Sequence, residues 1–398
     1  SDEKIETIMI NCNPETVSTD FDTSEKLYFE PLNLESVFNI IEKEKRNGNL
    51  LGVIVQYGGQ TPLKLASTLR EKGVKILGTQ PSAIEIAEDR QLFKEIIEKL
   101  NLKQPKNKTI NSKKATNKII EEVEYPIIAR PSFVLGGRSM EILYDSKQLK
   151  NYLKTDIEIS PNSPLLLDSY LGSAVEVDVD ALSDGNKVFI AGVMEHIEEA
   201  GVHSGDSACS LPPHSLKEEI IEKIKKQTTA LAIELKVKGL MNVQFAVKNG
   251  DIYVLEVNPR ASRTVPFIAK ATGIPLAGLG AKLMIGKKIS DLDIKEKINK
   301  HVAVKEAVLP FERLPGSDTL LTPEMRSTGE VMGIDNNFEM AFFKSQIAAG
   351  VMLPKSGNVF VSIKDTDKTE SMIKACKTLE EIGFKLVATK GTKLFLDN

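Results

Sequence analysis

The order of apolar segments changes along this chain, and that change limits the folds that it can form. Near the start, short apolar runs such as 5–11 alternate with helical patterns. Farther along, longer strands follow one another directly, and in 175–182 the valines alternate with Glu176, Asp178 and Asp180, which predicts one exposed face. Alternation of strand and helix predicts a parallel sheet covered by helices, whereas consecutive strands predict antiparallel pairing. The predicted fold is therefore α/β at the start and α+β after it.

Helices are predicted where apolar residues recur at every third or fourth position. These patterns cover 34–45, the segment that ends near Lys72, the segment that begins at Pro81, and 216–236. Ser82 with Glu85, and Ser215 with Glu218, have the spacing of a capping box, which predicts that helices begin at both serines. The pattern from Gly357 to Asn398 predicts the order β-α-β-β.

Composition narrows the classes of function. The chain has 398 residues, which predicts two or three domains, and its formal net charge is only −3. Charges of both signs are mixed without a long block of either, which argues against nucleic acid as a partner. Three cysteines lie far apart without metal-binding spacing, so we expect a reducing compartment, the cytoplasm, and no disulfide framework. No apolar run is long enough to span a bilayer, so no membrane partner is expected.

A hairpin over residues 240–260 has the pattern of a metal site. Gln244 lies on its first arm, and Glu256 and Asn258 share one face of its second arm because strand side chains alternate. One carboxylate and two amide oxygens form a hard ligand set, which is typical of magnesium. A strict two-residue turn would place Gln244 opposite Leu255, so we predict a bulge or a longer loop. The alternative is a surface hairpin; against it, Glu256 has apolar neighbours, among which an unpaired carboxylate is costly.

Two arginines and a glycine loop are candidates for phosphate binding. Arg260 and Arg263 follow the hairpin directly, where guanidinium groups would meet a transferring phosphoryl group. The loop 132–140 contains two adjacent glycines beside Arg138 and Ser139. Glycines let backbone amides approach phosphate oxygens, and a flexible loop can close over ATP. The alternative for this loop is an ordinary tight turn.

Two of the four histidines lie in the segment 194–209, among acidic residues and glycines. His196 and His203 do not have the spacing of a zinc site, and no third ligand is evident. Gly201 and Gly205 suit a loop that lines a nucleotide pocket. A polar surface loop is the alternative interpretation.

The chain resembles the carbamoyl-phosphate synthetase large-chain family, in the second of its two synthetase halves. The residues that carry this resemblance lie in 13–31, 53–66, 88–93, 130–142, 176–181, 194–212, 239–248, 255–273 and 323–333. They follow one another in order over nearly the whole chain. The strings HSGDSACSLP and NPRASRTVPF are specific to this family rather than to ATP-grasp enzymes in general.

The resemblance implies three domains. Residues 1–80 would form a parallel-sheet pre-ATP-grasp domain that lacks its first strand. Residues 81–345 would form a two-lobed ATP-grasp domain, which holds ATP between antiparallel sheets. Residues 351–398 would form part of a methylglyoxal-synthase-like α/β regulatory domain.

The resemblance also implies roles for individual residues. Those implied for the nucleotide are Arg90, Arg130, Ser169, Leu171, Glu176, Gly201, Val202, His203, Ser204, Gln244 and Glu256. Those implied for magnesium or manganese are Gln244, Glu256 and Asn258, and those for a potassium-like ion are Glu176, His196, Glu198 and Ser207. Arg260 and Arg263 would face the phosphate or carbamate as the catalytic pair. Similar proteins often carry His or Lys where this chain has Ser169.

The function that the resemblance implies is phosphorylation of carbamate by ATP to carbamoyl phosphate. This step belongs to a synthesis from bicarbonate, glutamine-derived ammonia and two ATP. The implied partners are a glutaminase small chain and the N-terminal synthetase half. One alternative is an inert nucleotide-binding or interaction fragment, because both outer domains are expected to be incomplete. A biotin-carboxylase-like ligase shares the chemistry but lacks these family-specific strings.

Overall fold

The computed structural model of the chain describes residues 3–112, 116–131, 140–154, 159–160, 164–294, 300–311, 316 and 319–397. They belong to two compact units, residues 1–349 and 350–398. The helices are α1 Leu34–Asn47, α2 Gln60–Glu71, α3 Pro81–Glu88, α4 Arg90–Lys99, α5 Thr116–Glu122, α6 Ser146–Tyr152, α7 Glu218–Glu234, α8 Val265–Thr272, α9 Leu276–Met284, α10 Phe338–Ala348, α11 Glu370–Glu381 and α12 Lys390–Leu396.

The strands fall into the following ranges. They are β1 Ile8–Ile10, β2 Lys26–Tyr28, β3 Val53–Ile54, β4 Ile76–Leu77, β5 Asn107–Ile110, β6 Ile127–Pro131, β7 Glu141–Leu143, β8 Leu165–Ser169, β9 Val175–Asp184, β10 Val188–His196, β11 Cys209–Leu211, β12 Lys238–Lys248, β13 Asp251–Asn258, β14 Val302–Val308, β15 Gly329–Asp335, β16 Asn358–Val361 and β17 Lys385–Ala388. Among the described residues, no helix combines the length and the apolar character needed to cross a membrane.

The first part of the larger unit contains parallel strand pairs, as the alternating pattern predicts. β1 pairs with β2, and β3 pairs with β4, both in parallel. They form two separate two-stranded ladders rather than the one sheet that the sequence predicts. Asn33 caps α1 by accepting a hydrogen bond from the Ser36 amide, and Val37, Ile41 and Leu69 pack in the core between α1 and α2.

A seven-stranded antiparallel sheet forms the centre of the same unit, in the order β13-β12-β9-β10-β11-β14-β15. One face packs against α4 and α7, where Val177 and Phe245 contact a buried helical stripe that includes Ile224. The opposite face packs against α8 and α9 around Leu240. Because helices cover both faces, Asp178 and Asp180 of β9 are buried (3% and 0% exposed), and the prediction of an exposed acidic face is wrong.

A smaller antiparallel sheet has the order β5-β8-β6-β7. Its apolar side packs against α5 and α6, with Ile127, Leu149 and Leu165 in the core. The two antiparallel sheets confirm the prediction of an α+β fold beyond the first segment. Only residues 170–174 separate the last residue of β8, in the smaller sheet, from the first residue of β9, in the central sheet.

Both capping-box predictions are wrong. Pro81 is the first residue of α3, so Ser82 lies inside the helix, and α4 is a separate helix that begins after Asp89. The Asp89 carboxylate caps α4 by accepting a hydrogen bond from the Leu92 amide at 2.9 Å. At α7 the buried Glu195 carboxylate accepts hydrogen bonds from the amide and hydroxyl of Ser215, so this serine cannot cap the helix. A buried carboxylate needs these donors more than a helix end in water does.

The smaller unit consists of β16, α11, β17 and α12, with β16 and β17 parallel. The sequence predicts a final strand, but residues 390–396 form α12. The Thr392 hydroxyl near the start of this helix accepts a hydrogen bond from the Ile363 amide at 3.0 Å, after β16. This tertiary contact holds the first turn of a segment whose apolar run alone also fits a strand.

Glu306 provides a test of how α10 is attached to the central sheet. Its side chain, on β14, accepts a hydrogen bond from Gln346 of α10. Burial, and next the charge of Glu198, raise the pKa of Glu306 from 4.5 to about 7. The folded chain therefore binds a proton that the unfolded chain has lost between these values, so stability falls as pH rises through this window.

The substitution Glu306→Gln is expected to remove this fall in stability with rising pH. Between pH 4.5 and pH 8, the free energy of unfolding of the wild type should fall by about 2–3 kcal/mol relative to the variant. Denaturant unfolding at both pH values measures this difference. Glu339→Gln, at an exposed position of α10, is the control and should follow the wild type. If the free energy of unfolding changes with pH equally in wild type and Glu306→Gln, the raised pKa of Glu306 is contradicted.

Candidate active site

The hairpin of β12 and β13 contains the bulge that the sequence requires. Asn249 and Gly250, both with positive φ (53° and 83°), form a two-residue turn that pairs Lys248 with Asp251. The register then shifts, because Phe245 pairs with Val254 and Gln244 pairs with Glu256, which leaves Leu255 as the extra residue. Gln244 and Glu256 therefore lie on one face of the sheet. The predicted offset is confirmed.

The oxygen-bearing side chains at the end of this hairpin form a connected group. The Asn258 amide nitrogen donates to the Glu256 carboxylate at 2.7 Å, and the Asn258 oxygen accepts from Arg260 at 3.3 Å. Gln244 also lies opposite Asp178 on β9. Glu256 itself is exposed, so the argument that its burial would be costly is wrong. Its carboxylate faces solvent, where it is accessible to a cation.

Arg260 is the second residue of a six-residue stretch, residues 259–264, that connects β13 to α8 and that we call the arginine segment. One terminal nitrogen of Arg260 donates to the Ala261 carbonyl at 3.1 Å. Its Nε is buried and has no hydrogen-bond partner among the described residues. Burial lowers the pKa of Arg260, and the Glu256 charge opposes that shift. The Arg263 side chain is exposed and its terminal nitrogen contacts the Met325 sulfur.

Arg90 and Arg130 share one carboxylate. Arg90 Nη1 lies 3.0 Å from Asp168 Oδ1, and Arg130 Nε lies 2.7 Å from Asp168 Oδ2. Burial alone would raise the pKa of Asp168, but the charges of Arg130 and Arg90 outweigh it and lower that pKa. Asp168 is not among the residues that the sequence predicts for the site. Its position as the only charged residue in the apolar strand LLLDS could have indicated it.

Glu176 contacts the loop that follows β10. Its carboxylate accepts a hydrogen bond from the Gly201 amide at 3.0 Å, and Gly201 has a positive φ of 98° that favours glycine. Burial raises the pKa of Glu176. The Tyr170 hydroxyl donates to the Ala200 carbonyl at 2.7 Å, which ties this loop to the end of β8. Glu176 and Gly201 are thus in direct contact, although 25 residues separate them.

The other residues expected at the nucleotide lie in these same elements. Val202, His203 and Ser204 are half-buried, and the His203 amide donates to the Thr322 carbonyl at 3.0 Å. Burial, and next the charge of Arg263, lower the pKa of His203. Leu171 packs in a small alanine cluster, whereas Ser169 ends β8. The loop 132–139 lies outside the described residues, with Arg138 and Ser139.

A buried histidine, His196, is hydrogen-bonded to one carboxylate and lies close to a second. His196 Nε2 lies 3.0 Å from Asp178 Oδ2, and His196 Nδ1 lies 3.7 Å from Glu176 Oε2. Burial alone would lower the pKa of His196, but Asp178 and then Glu176 raise it. The Glu198 carboxylate accepts a hydrogen bond from the Ala208 amide at 2.6 Å.

The residues that the resemblance implies for a potassium-like ion lie in this region. Ser207 donates its hydroxyl to the His203 carbonyl at 3.4 Å, in the loop that follows β10. Within the described ranges, no three His, Cys, Asp or Glu side chains form a group that could hold a metal ion. The ligand role of Glu176, His196, Glu198 and Ser207 therefore stays a prediction.

Comparison with solved structures identifies the class of fold. An ADP complex of N5-carboxyaminoimidazole ribonucleotide synthetase superposes with a TM-score of 0.66 at 16% identity, covering 86% of this chain and 89% of that one. The biotin carboxylase domain of Hydrogenobacter thermophilus 2-oxoglutarate carboxylase, solved with MgADP, ADP and bicarbonate, gives 0.63 at 16% identity, with coverage of 83% and 81%. The two antiparallel sheets of this chain thus have the ATP-grasp fold.

Sequence comparison identifies the family. The model of the carbamoyl-phosphate synthase L chain ATP binding domain matches residues 89–292, and that of the carbamoyl phosphate synthase preATP-grasp domain matches residues 1–86. The carbamoyl phosphate synthase large chain of Archaeoglobus fulgidus is 56% identical over 396 residues. The corresponding C-terminal section from Aquifex aeolicus is 52% identical over 406 residues, covering 98% of this chain and 75% of that protein. The chain belongs to the carbamoyl-phosphate synthase large-chain family.

The sequence matches cover nearly all of this chain but a much smaller share of each full-length relative. Against the Archaeoglobus protein the match covers 99% of this chain but 36% of the relative. The large chain of Pasteurella multocida gives 55% identity over 98% of this chain and 36% of the relative. The chain therefore spans about a third of the length of these curated relatives.

Proposed function

We propose that this chain transfers the γ-phosphoryl group of magnesium-ATP to carbamate, giving carbamoyl phosphate and ADP. A carbamate oxygen would form the new bond to phosphorus as the bond to the β–γ bridging oxygen breaks. The observation that carries this proposal is the bulged hairpin, which places Gln244 and Glu256 on one face and links Asn258 to both Glu256 and Arg260. Phosphoryl transfer needs positioning and charge neutralisation rather than a protein nucleophile.

The residues present fit a magnesium or manganese ion. One carboxylate and two amide groups on neighbouring strands offer only oxygen ligands, which hard cations prefer, and Glu256 is exposed to receive one. When bound, such an ion would neutralise charge on the ATP phosphates. Asn258 links this group to Arg260, because it donates to Glu256 and accepts from the guanidinium. Glu256, Asn258 and Arg260 are therefore one hydrogen-bonded unit, which joins the proposed cation site to the arginine that would meet the phosphoryl group.

We assign the nucleotide to the residues around Asp168 and Glu176. Arg90 and Arg130 supply the positive charge for phosphates, and Asp168 keeps both guanidinium groups in place. The loop that contains Gly201, bonded to Glu176, would contact the nucleotide from another side. Leu171 and Ser169 come from the strand end between these groups. We also propose that a potassium-like ion binds at Glu176, His196, Glu198 and Ser207.

The domain roles and partners are proposals of the same kind. Residues 1–80 would serve as the pre-ATP-grasp domain, 81–345 as the ATP-grasp domain, and 351–398 as part of a regulatory domain. Carbamate decomposes readily in water, so it must reach this site without release to solvent. We therefore propose the N-terminal synthetase half and a glutaminase small chain as partners, in the cytoplasm.

The reverse reaction tests the proposed function. The chain, with ADP, magnesium and carbamoyl phosphate, is expected to form ATP, and chelation of the metal with EDTA should abolish the signal. Luciferase detection of ATP measures the rate, and circular dichroism shows that the protein is folded. Calorimetry with MgADP separates the alternatives: nucleotide binding by folded protein without ATP formation would support a nucleotide-binding module without turnover and contradict the proposed activity.

A further inference from the structure

The arginine segment is held by two buried polar side chains that belong to no proposed ligand set. Gln56 follows β3 in the first part of the larger unit, and Asp180 lies on β9. Both are 0% exposed. A fully buried polar side chain is costly unless it is completely hydrogen-bonded, so its partners indicate what it stabilises.

Gln56 contacts the start of the arginine segment. Its Nε2 donates to the Pro259 carbonyl at 2.7 Å, and its backbone carbonyl accepts from the Ala261 amide at 3.0 Å. Its Oε1 accepts from the Thr79 amide at 2.9 Å, which fixes the orientation of the side-chain amide. A Cβ at Gly78 would lie 2.1 Å from this oxygen, so glycine is required for the amide to fit.

Asp180 contacts the end of the same segment. Its Oδ2 accepts hydrogen bonds from the Ser262 hydroxyl at 2.9 Å and from the Thr264 hydroxyl. Its Oδ1 accepts from the Asn242 amide at 3.1 Å. Three donors thus surround one buried carboxylate, and two of them belong to the arginine segment.

Along the chain, the residues that Gln56 and Asp180 bind alternate with the two arginines. Residues 259 and 261 are bound by Gln56, and residues 262 and 264 are bound by Asp180, so Arg260 and Arg263 extend from positions between fixed neighbours. We propose that Gln56 and Asp180 are positioning residues, which hold the arginine segment so that both guanidinium groups meet the phosphoryl group and the carbamate. This inference rests on the proposed function. It also assigns a role in the chemistry to the segment around β3, outside the ATP-binding domain.

Kinetics of matched variants test the positioning role. Gln56→Met keeps the side-chain length but removes the bond to Pro259, and Thr264→Val removes one donor to Asp180. Each is expected to lower kcat for ATP formation by about 10- to 100-fold, because small displacements of catalytic groups have effects of this size. The KM for ADP should stay within about twofold of wild type, since neither residue contacts the proposed nucleotide pocket. Thr264→Ser keeps the hydroxyl and should restore kcat.

Controls use the same residue types in bonds that do not reach the arginine segment. Gln80 donates to the Ile76 and Gly78 carbonyls, and Thr272 donates to the Ile268 carbonyl within α8. Gln80→Met and Thr272→Val should retain wild-type kcat. In an Arg260→Ala background, Gln56→Met should have little further effect if it acts through the arginines, whereas general destabilisation would add to the loss.

Hydrogen exchange supplies a measurement that needs no turnover. Peptides that cover the arginine segment should exchange faster in Gln56→Met and Thr264→Val than in wild type, and unchanged in Gln80→Met. Unchanged exchange in both test variants would overturn the inference, whatever their activity. Faster exchange with wild-type kcat would also overturn it. If the wild type forms no ATP, the proposed function fails, and the exchange data alone decide whether these residues hold the segment.

Discussion

Glu256→Gln is expected to lower ATP formation from MgADP and carbamoyl phosphate by about a thousandfold or more. The substitution removes a charge from the proposed cation site without changing the size of the side chain. The glutamine oxygen can still accept the hydrogen bond from Asn258, which the structure shows at 2.7 Å, so the hairpin should keep its form. The loss would therefore measure electrostatics rather than folding.

The metal dependence of this variant adds a second measurement. A site with three amide oxygens and no carboxylate should bind magnesium much more weakly, so activity should require a higher magnesium concentration. Glu222→Gln is the control, because Glu222 is exposed on α7 and bonds only Lys225 among the described residues. A Glu256→Gln protein with a kcat and a magnesium requirement close to those of the control would remove Glu256 from the metal site.

The sequence was sufficient to predict that the hairpin departs from regular pairing, but not where. The Asn249-Gly250 turn is visible in the sequence, and a shared ligand face for Gln244 and Glu256 requires an odd offset. The position of the extra residue depends on packing in three dimensions. Leu255 packs against a cluster that contains Ala174, Ala200 and Ala246, and this cluster brings together distant parts of the chain.

Polar contacts between residues far apart in the chain account for most of the features that the sequence does not predict. Gln56 bonds a carbonyl 203 residues away, and Arg90 bonds a carboxylate 78 residues away. Periodicity and spacing describe only neighbours in sequence, so they cannot reveal such pairs. The same limit explains Ser215, whose capping pattern was correct in spacing but whose hydrogen bonds go to the buried Glu195. The ligand residues themselves could be proposed because Gln244, Glu256 and Asn258 lie on one hairpin.

Arg260→Lys is expected to lower kcat for ATP formation by about 100- to 1,000-fold, although the charge is retained. The guanidinium of Arg260 donates at once to Ala261 and to Asn258, and its Nε has no hydrogen-bond partner among the described residues. An ammonium group has its three donors on one nitrogen at the end of a flexible chain, so it cannot reproduce the separate bonds that the two terminal nitrogens of Arg260 make in one plane. The loss should appear in kcat, because the proposed role is at the transferring phosphoryl group rather than at ADP.

Two comparisons decide whether this loss reflects the geometry of the guanidinium. Arg46→Lys, at the exposed end of α1, makes the same chemical change away from the site and should retain wild-type kcat and stability. Thermal unfolding of Arg260→Lys should also stay close to wild type, because Gln56 and Asp180 hold the arginine segment independently of this side chain. If Arg260→Lys keeps wild-type kcat, a point charge is sufficient at this position. The planar shape of the guanidinium would then have no role in the reaction. Fixing the backbone on both sides of Arg260 would also be unnecessary for catalysis.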